Sequence, residues 1–200
     1  MPIVYYSPAS PYSTKVRMSA LWAKIDLDAR VVDTNAEPAE LISTNPLGKI
    51  PALVTDDGIS VFDSRTITQY LNRISGNALF PRNATKRLEV ERLEALADGL
   101  CDCLLAHVYE RRFRPEDKIH QPWLDKQWSK ALRALDYLNA NAPRVTSKTD
   151  AGQIALRAAI GYLDLRFGDS NWRKGRAKLA KWVTRFDERF AELAALQTKA

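Results

Sequence analysis

Hydrophobic periodicity changes character once along this chain, at "SGNALFPRN", Ser75 to Asn83. Before it, apolar runs of strand length alternate with patterns of helical spacing; after it, every pattern is helical. A chain that alternates strand and helix and then turns wholly helical builds a small α/β layer followed by a helical one. Gly76 and Pro81 interrupt the stretch while Leu79 and Phe80 keep its centre apolar, which suits a connection. The expected organisation is α/β over residues 1–78, a connection over 79–84 and all-α over 85–200.

In the N-terminal half, "PIVYY" (Pro2 to Tyr6) reads as a strand and Thr14 to Lys24 as a helix with Val16, Ala20 and Ala23 at helical spacing. "ARVVD" (Ala29 to Asp33) reads as a second strand. "ALVT" and "ISVF" flank "DDG" (Asp56 to Gly58), a hairpin signal because glycine accepts positive φ. Ile67, Tyr70, Leu71 and Ile74 then mark one helix face. The order is βαβ, a short helix, ββα. In the C-terminal half a long helix runs from Thr85 to about Arg112, with Leu93, Leu96, Leu100 and Leu104 inward. Trp128, Ala131, Leu132, Leu135 and Leu138 mark another. "DAGQ" opens a third as a capping box, Asp150 at the N-cap and Gln153 at N3. Leu179, Trp182, Val183, Phe186 and Phe190 give a fourth.

Composition excludes several classes of function. Of the 200 residues 46% are hydrophobic and 27% charged, enough for a core in a chain of this length. No apolar run approaches the ~18 residues of a membrane span. The N-terminus lacks the basic and long apolar segments of a secretory signal, so a cytoplasmic protein without membrane contact is expected. The net charge of +6 comes from scattered residues, densest at "ERRFR" (Glu110 to Arg114) and "RKGRAK" (Arg173 to Lys178), with no nucleic-acid motif. The expectation is a solvated basic surface that suits a small anionic substrate, and no nucleic-acid partner. Cys101 and Cys103, two apart on a helix, point to different sides and read as buried structural thiols. With His107 and His120 the only histidines, no metal set is expected.

Three stretches carry chemistry. In "NPLGKIPAL" (Asn45 to Leu53) Asn-Pro stops a helix, Gly48 turns the chain, and Pro51 suits the first residue of a strand. A cis Ile50–Pro51 bond would present the Ile50 backbone to an extended peptide ligand, but the pattern alone favours an ordinary loop into a hairpin. "FDSRTI" (Phe62 to Ile67) places Asp63 and Ser64 at a helix start, where they cap the helix. A helix N-terminus also holds anions, so Ser64 suits a carboxylate and Asp63 an adjacent ammonium, together an amino-acid zwitterion. "SPASPYST" (Ser7 to Thr14) gathers Ser7, Ser10 and Ser13 at the corner where the first strand gives way to a helix, with Pro11 fitting position N1.

Taken together, these stretches resemble the cytosolic glutathione transferases over nearly the whole chain. "NPLGKIP" looks like that family's cis-proline loop, "DS" like its acid-serine pair for the γ-glutamyl group, and "SPYSTKVRM" (Ser10 to Met18) like the start of helix 1 in the serine- and cysteine-type classes, including tau, zeta and omega. "EALADGLCD" is similar to a bacterial group of such proteins. The resemblance implies a thioredoxin-like first domain, an all-helical second domain and a homodimer. It implies that glutathione, a co-substrate and not a cofactor, is held by Lys49, Ile50, Pro51, Asp63 and Ser64. Ser10 would be the catalytic residue, facing the glutathione sulfur, with Tyr5, Ser7 and Ser13 as rival hydroxyls. A small hydrophobic electrophile would sit between Tyr12 and the long helix, and conjugation of the thiolate to it would be the reaction; His107 and Arg111, one turn apart, either line that pocket or, the safer reading, stand on a solvated helix face.

The chain departs from the family where helix 6 usually opens with Ser/Thr-x-x-Asp and here has Asp150-x-x-Gln153. The helical half is also short, with little chain expected after its last long helix to cover a pocket. A non-catalytic glutathione-binding or protein-interaction member of the same fold is the alternative. A glutathione-dependent reductase is disfavoured, since position 10 is serine and mixed-disulfide chemistry needs a thiol.

Overall fold

In the computed structural model, which describes all residues Met1–Ala200, strand β1 (Ile3–Tyr6) runs parallel to β2 (Asp28–Val31) and antiparallel to β3 (Ala52–Val54). β3 pairs antiparallel with β4 (Ser60–Val61), so the sheet order is β2-β1-β3-β4. Strand alternation separates two faces. Val4 and Leu53, opposite each other in register, are fully buried with Val16 of helix α1 (Pro11–Trp22) and Ile67 and Leu71 of α3 (Ser64–Ile74). Tyr5 and Ala52 face the other way and pack with Leu41 of the short helix α2 (Ala39–Thr44). A βαβ unit, a short helix and a ββα unit thus follow in the order the sequence predicts. The hairpin turns at Gly58, whose φ of +83° needs glycine, and the Thr55 hydroxyl accepts from the Ile59 N–H at 2.9 Å to close it.

One predicted face is shorter than the pattern implied. Ile74 is 50% exposed, because α3 ends there and Gly76 and Asn77, both at positive φ, turn the chain away from the core.

The connection between the halves is held from both sides. Leu79 and Phe80 are each 1% exposed. Their N–H groups donate to the buried Asn72 Oδ1 of α3 at 3.0 and 2.9 Å, and the Leu79 carbonyl accepts from Ala151 N–H at 3.0 Å.

Beyond it stand α4 (Ala84–Phe113), α5 (Gln121–Ala140), α6 (Ala151–Phe167), α7 (Ala177–Arg189) and the single turn α8 (Ala191–Ala194). On α4, Leu100 and Leu104 are buried, while Leu93 and Leu96 are only half-buried. Every residue of α6 from Ala151 to Leu163 is buried, which makes it the central helix of this half. Its cap differs from a full capping box. Asp150 Oδ1 accepts from Gln153 N–H at 2.9 Å, but the Gln153 amide donates to Asp150 Oδ2 at 3.0 Å instead of receiving the cap's backbone N–H. A carboxylate at the N-cap offers a second oxygen that a serine lacks, and the amide takes it. The chain after α7 is also better used than its length suggested: it runs through α8 and returns to the β1–α1 loop, where Lys199 N–H donates to the Pro8 carbonyl at 3.1 Å. No helix is long and apolar enough to cross a membrane.

Candidate functional site

The β1–α1 corner is built by the helix start itself. Ser10 is the N-cap of α1, in extended conformation, and Pro11 occupies the first helical position. Ser10 Oγ accepts from Ser13 N–H at 3.2 Å and the Ser10 carbonyl accepts from Thr14 N–H at 3.0 Å. Proline has no N–H, so the Tyr12 amide is the one N–H of the first turn with no acceptor in the chain. A hydroxyl offers one proton and two lone pairs. The cap uses a lone pair of Ser10, and its proton remains available on a half-buried side chain.

The other hydroxyls at this corner are differently placed. Ser7 Oγ accepts from Ala9 N–H at 3.4 Å. Ser13 is fully buried, and its Oγ has no hydrogen-bond partner. Tyr5 is 5% exposed on the α2 face of the sheet, opposite the face that carries α1.

The α2–β3 loop is shaped by Asn45, which is 3% exposed. Its Oδ1 accepts from Leu47 N–H at 3.1 Å, its Nδ2 donates to the Lys49 carbonyl at 2.7 Å, and its own carbonyl accepts from Gly48 N–H at 2.8 Å. Gly48 sits at φ +60°. Lys49 points to solvent, Ile50 is half-buried, and the Ile50–Pro51 bond is cis. The bond before Asp63 is cis as well. Asp63 is the N-cap of α3: its Oδ1 accepts from Arg65 N–H at 2.9 Å and Thr66 N–H at 3.4 Å. The adjacent Ser64 is 3% exposed, and its hydroxyl makes no hydrogen bond within the chain.

Beneath both helix starts lies a charge cluster that sequence reasoning missed. Lys15 of α1 is 1% exposed, and its ammonium donates to Glu94 at 3.2 Å and to both oxygens of Asp98 at 2.9 and 2.8 Å on α4. Arg65, next to Ser64, donates to Asp98 Oδ2 at 2.7 Å. Burial raises the Glu94 pKa, and the Lys15 charge opposes it only in part. The partners lie 79 and 83 residues from Lys15, beyond any local pattern. The available signal was two acids one turn apart, Glu94 and Asp98, inside a leucine-rich helix.

The expected second-substrate residues have different partners. Tyr12 is half-buried and donates its phenol proton to Asp102 of α4. Burial, the neighbouring Cys101 and that bond push its pKa far above the ordinary phenol range. His107 stands five residues beyond Asp102, ~140° around the helix. It packs edge-on to Trp128 and Phe167, with ring centroids 6.3 and 5.2 Å away. Burial, and then Arg111 one turn on, lower its pKa. Arg111 itself is exposed. Of the two cysteines, Cys101 is buried, with burial raising its thiol pKa, whereas Cys103 is only half-buried because its side of α4 is less covered. No group of three or more metal-ligating side chains is assembled. A cavity of about 270 Å³ between α4, α5 and the start of α6, lined by Leu93, Tyr137 and Gln153 among others, adjoins none of the expected site residues.

Known proteins match this chain at both levels. The family described as glutathione S-transferase, N-terminal domain, matches residues 4–78. An uncharacterized GST-like protein of Escherichia coli K12, YibF, is 38% identical over 143 residues, 70% of either chain. A glutathione transferase family member from Pseudomonas fluorescens Pf-5, solved with bound glutathione, has a TM-score of 0.90 and 36% identity over the whole of both chains. A structure from the same organism with bound S-(propanoic acid)-glutathione has a TM-score of 0.86 and 33% identity, covering 100% of this chain and 98% of the other.

Proposed function

The chain belongs to the glutathione S-transferase family, and from that premise we propose that it binds glutathione between the starts of α1 and α3 and conjugates its thiolate to small electrophiles. The observation that carries this reading is the state of the α1 start: Ser10 caps the helix with a lone pair and keeps its proton, and the Tyr12 N–H beside it has no acceptor. A free thiol titrates at ~8.5 and is mostly protonated at neutral pH. Two donors at the positive end of a helix dipole favour the thiolate. Ser10 is the group that faces the sulfur; glutathione is the nucleophile. The burial of Tyr5 on the opposite face of the sheet supports Ser10 over Tyr5.

The rest of the tripeptide follows from the same frame. The Ile50 backbone ahead of Pro51, held by the Asn45-braced loop, pairs with the cysteinyl unit, and Lys49 attracts the glycyl carboxylate. The free Ser64 hydroxyl receives the γ-glutamyl carboxylate and the second Asp63 oxygen its ammonium. The net charge of +6 draws the anionic peptide in. The electrophile lies between Tyr12 and α4 in the pocket expected to include His107 and Arg111; the packing of His107 against Trp128 and Phe167 supports Tyr12 as the nearer wall. That a relative holds a glutathione carrying a small group on sulfur supports a compact second substrate. The protein works as a cytoplasmic homodimer, with exposed Leu88 of α4 among the apolar groups available for pairing.

Calorimetric titration with glutathione, alongside turnover of 1-chloro-2,4-dinitrobenzene, tests the proposal. Binding with release of chloride is expected. Binding without turnover of any of a panel of electrophiles would instead favour the non-catalytic alternative, and absence of binding would overturn both.

A further inference from the structure

Four unpaired cations share one cleft of the helical half. Lys178, Lys181, Trp182 and Arg185 stand at i, i+3, i+4 and i+7, along one face of α7. Arg144, with Pro143 and Val145, faces them from the α5–α6 loop, and the space between is about 500 Å³. That is the size of a small-ligand pocket. No residue of α1, α3 or the α2–β3 loop lines it, so the cleft is separate from the proposed glutathione corner.

The charges here are in a different state from their neighbours. Within and beside the basic stretch "RKGRAK", Arg157, Arg173 and Arg176 are each bonded to an aspartate: Asp187, Asp164 and Asp136. Arg144, Lys178, Lys181 and Arg185 are exposed and form no ion pair. No acidic side chain lines the cleft. A solvated surface accounts for scattered cations, but not for four on the facing walls of one concavity without an acid among them. A concave wall of one sign focuses its field on whatever enters.

Trp182 adds a second, independent feature. It is 3% exposed, and its indole N–H is buried with no acceptor in the chain. A buried donor left unpaired costs free energy that an incoming acceptor recovers. Pro143, Val145 and the Trp182 ring also give the lining an apolar part.

We propose that this cleft is a second ligand site, which takes a small organic polyphosphate. Two or more phosphate groups engage the four cations, arginine through paired N–H groups and lysine as a point charge. The organic body lies against Pro143, Val145 and Trp182. A closed concavity of this size suits a small molecule, whereas a polymer needs an extended basic track. The site stands whether or not glutathione binds at the α1 start.

Calorimetric titration in magnesium-free buffer tests it, with ATP, inorganic tripolyphosphate and adenosine as probes. Physiological ionic strength is used, so that charges more than ~8 Å apart are screened. The wild type is expected to bind one ATP per chain, tripolyphosphate several-fold more weakly, and adenosine not at all. Saturating glutathione should change the ATP affinity by less than about twofold, since the two sites share no residue. Lys181→Gln combined with Arg185→Gln should weaken ATP by about tenfold or more, through the loss of two charge-assisted contacts. Lys181→Arg combined with Arg185→Lys, which keeps both charges, should retain most of the affinity. The control pair Lys86→Gln and Lys126→Gln removes the same charge from exposed positions outside the cleft and should have little effect. A wild type that binds no ATP, or a Lys181/Arg185 pair that weakens ATP no more than the control pair, overturns the proposal. Displacement of ATP by glutathione would place the probe in the glutathione corner and overturn it too. Tripolyphosphate binding as tightly as ATP would refute the organic body, and an oligonucleotide displacing ATP at lower concentration would refute the small ligand in favour of a polymer.

Discussion

Ser10 and Lys15 lie five residues apart on the same helix, yet their polar groups are in opposite states. At Lys15 the ammonium is closed off by three bonds to Glu94 and Asp98, and Asp98 is shared with Arg65 of α3. At Ser10 the accounts stay open: a hydroxyl proton, the Tyr12 N–H and, across at α3, the Ser64 hydroxyl have no acceptor or donor in the chain. The first arrangement is joinery, tying α1 and α3 to α4 through matched charge. The second waits for something outside the chain. Polar chemistry alone does not mark a site; unpaired polar chemistry at an accessible edge does.

The comparison breaks most visibly at the closed end. Lys15→Met leaves Glu94 and Asp98 buried with Arg65 as their only cation, and the loss of stability in urea is expected to be about 3–5 kcal/mol. A cost within the scatter of surface substitutions would mean that the cluster ties nothing together.

Next in size are the open groups on α3. Ser64→Ala and Asp63→Asn are each expected to weaken glutathione binding by ~1–3 kcal/mol. Asparagine caps helices as well as aspartate does, so Asp63→Asn should leave the melting temperature nearly unchanged. Affinity and stability falling together would make Asp63 a cap and nothing more.

The smallest effect concerns Glu94. Its pKa is raised above the ordinary 4.5 by burial, so the folded protein holds this proton more tightly than the unfolded chain. The group's contribution is therefore fully present below pH 4.5 and declines as pH rises through the folded value. Glu94→Gln removes the titration, and the difference in urea midpoint between variant and wild type should shift in the variant's favour across that interval. A difference that is flat with pH would contradict the assigned direction.

Legibility in the sequence follows the same division. The element order, the α3 cap and the Ser10–Pro11 helix start depend on residues within a few positions of one another, and local pattern reports them. Asn45 was read only as a component of a helix stop, because the bonds it spreads across Leu47 and Lys49 depend on a loop conformation that no periodicity encodes. Lys15 looks like an ordinary helical lysine until α4 is placed beside it. The return of Lys199 to Pro8 joins opposite ends of the chain and has no sequence signature at all. For His107 and Arg111, spacing put them one turn apart but could not say which side of α4 faces α1. The side that does carries Asp102.

The central claim is that the Ser10 proton stabilises a bound thiolate, and the pKa of glutathione's thiol in the complex measures it most directly. Thiolate absorbance followed against pH is to be compared among wild type, Ser10→Ala and the control Tyr5→Phe, each saturated with glutathione. The account predicts a wild-type value below the ~8.5 of a free thiol. In Ser10→Ala it should rise toward that value while glutathione affinity changes little, and turnover should fall by roughly 10²–10³, as for loss of one oxyanion donor. Tyr5→Phe should leave it where it was. A thiol pKa unmoved by Ser10→Ala and raised by Tyr5→Phe would contradict the account and move the site to the other face of the sheet.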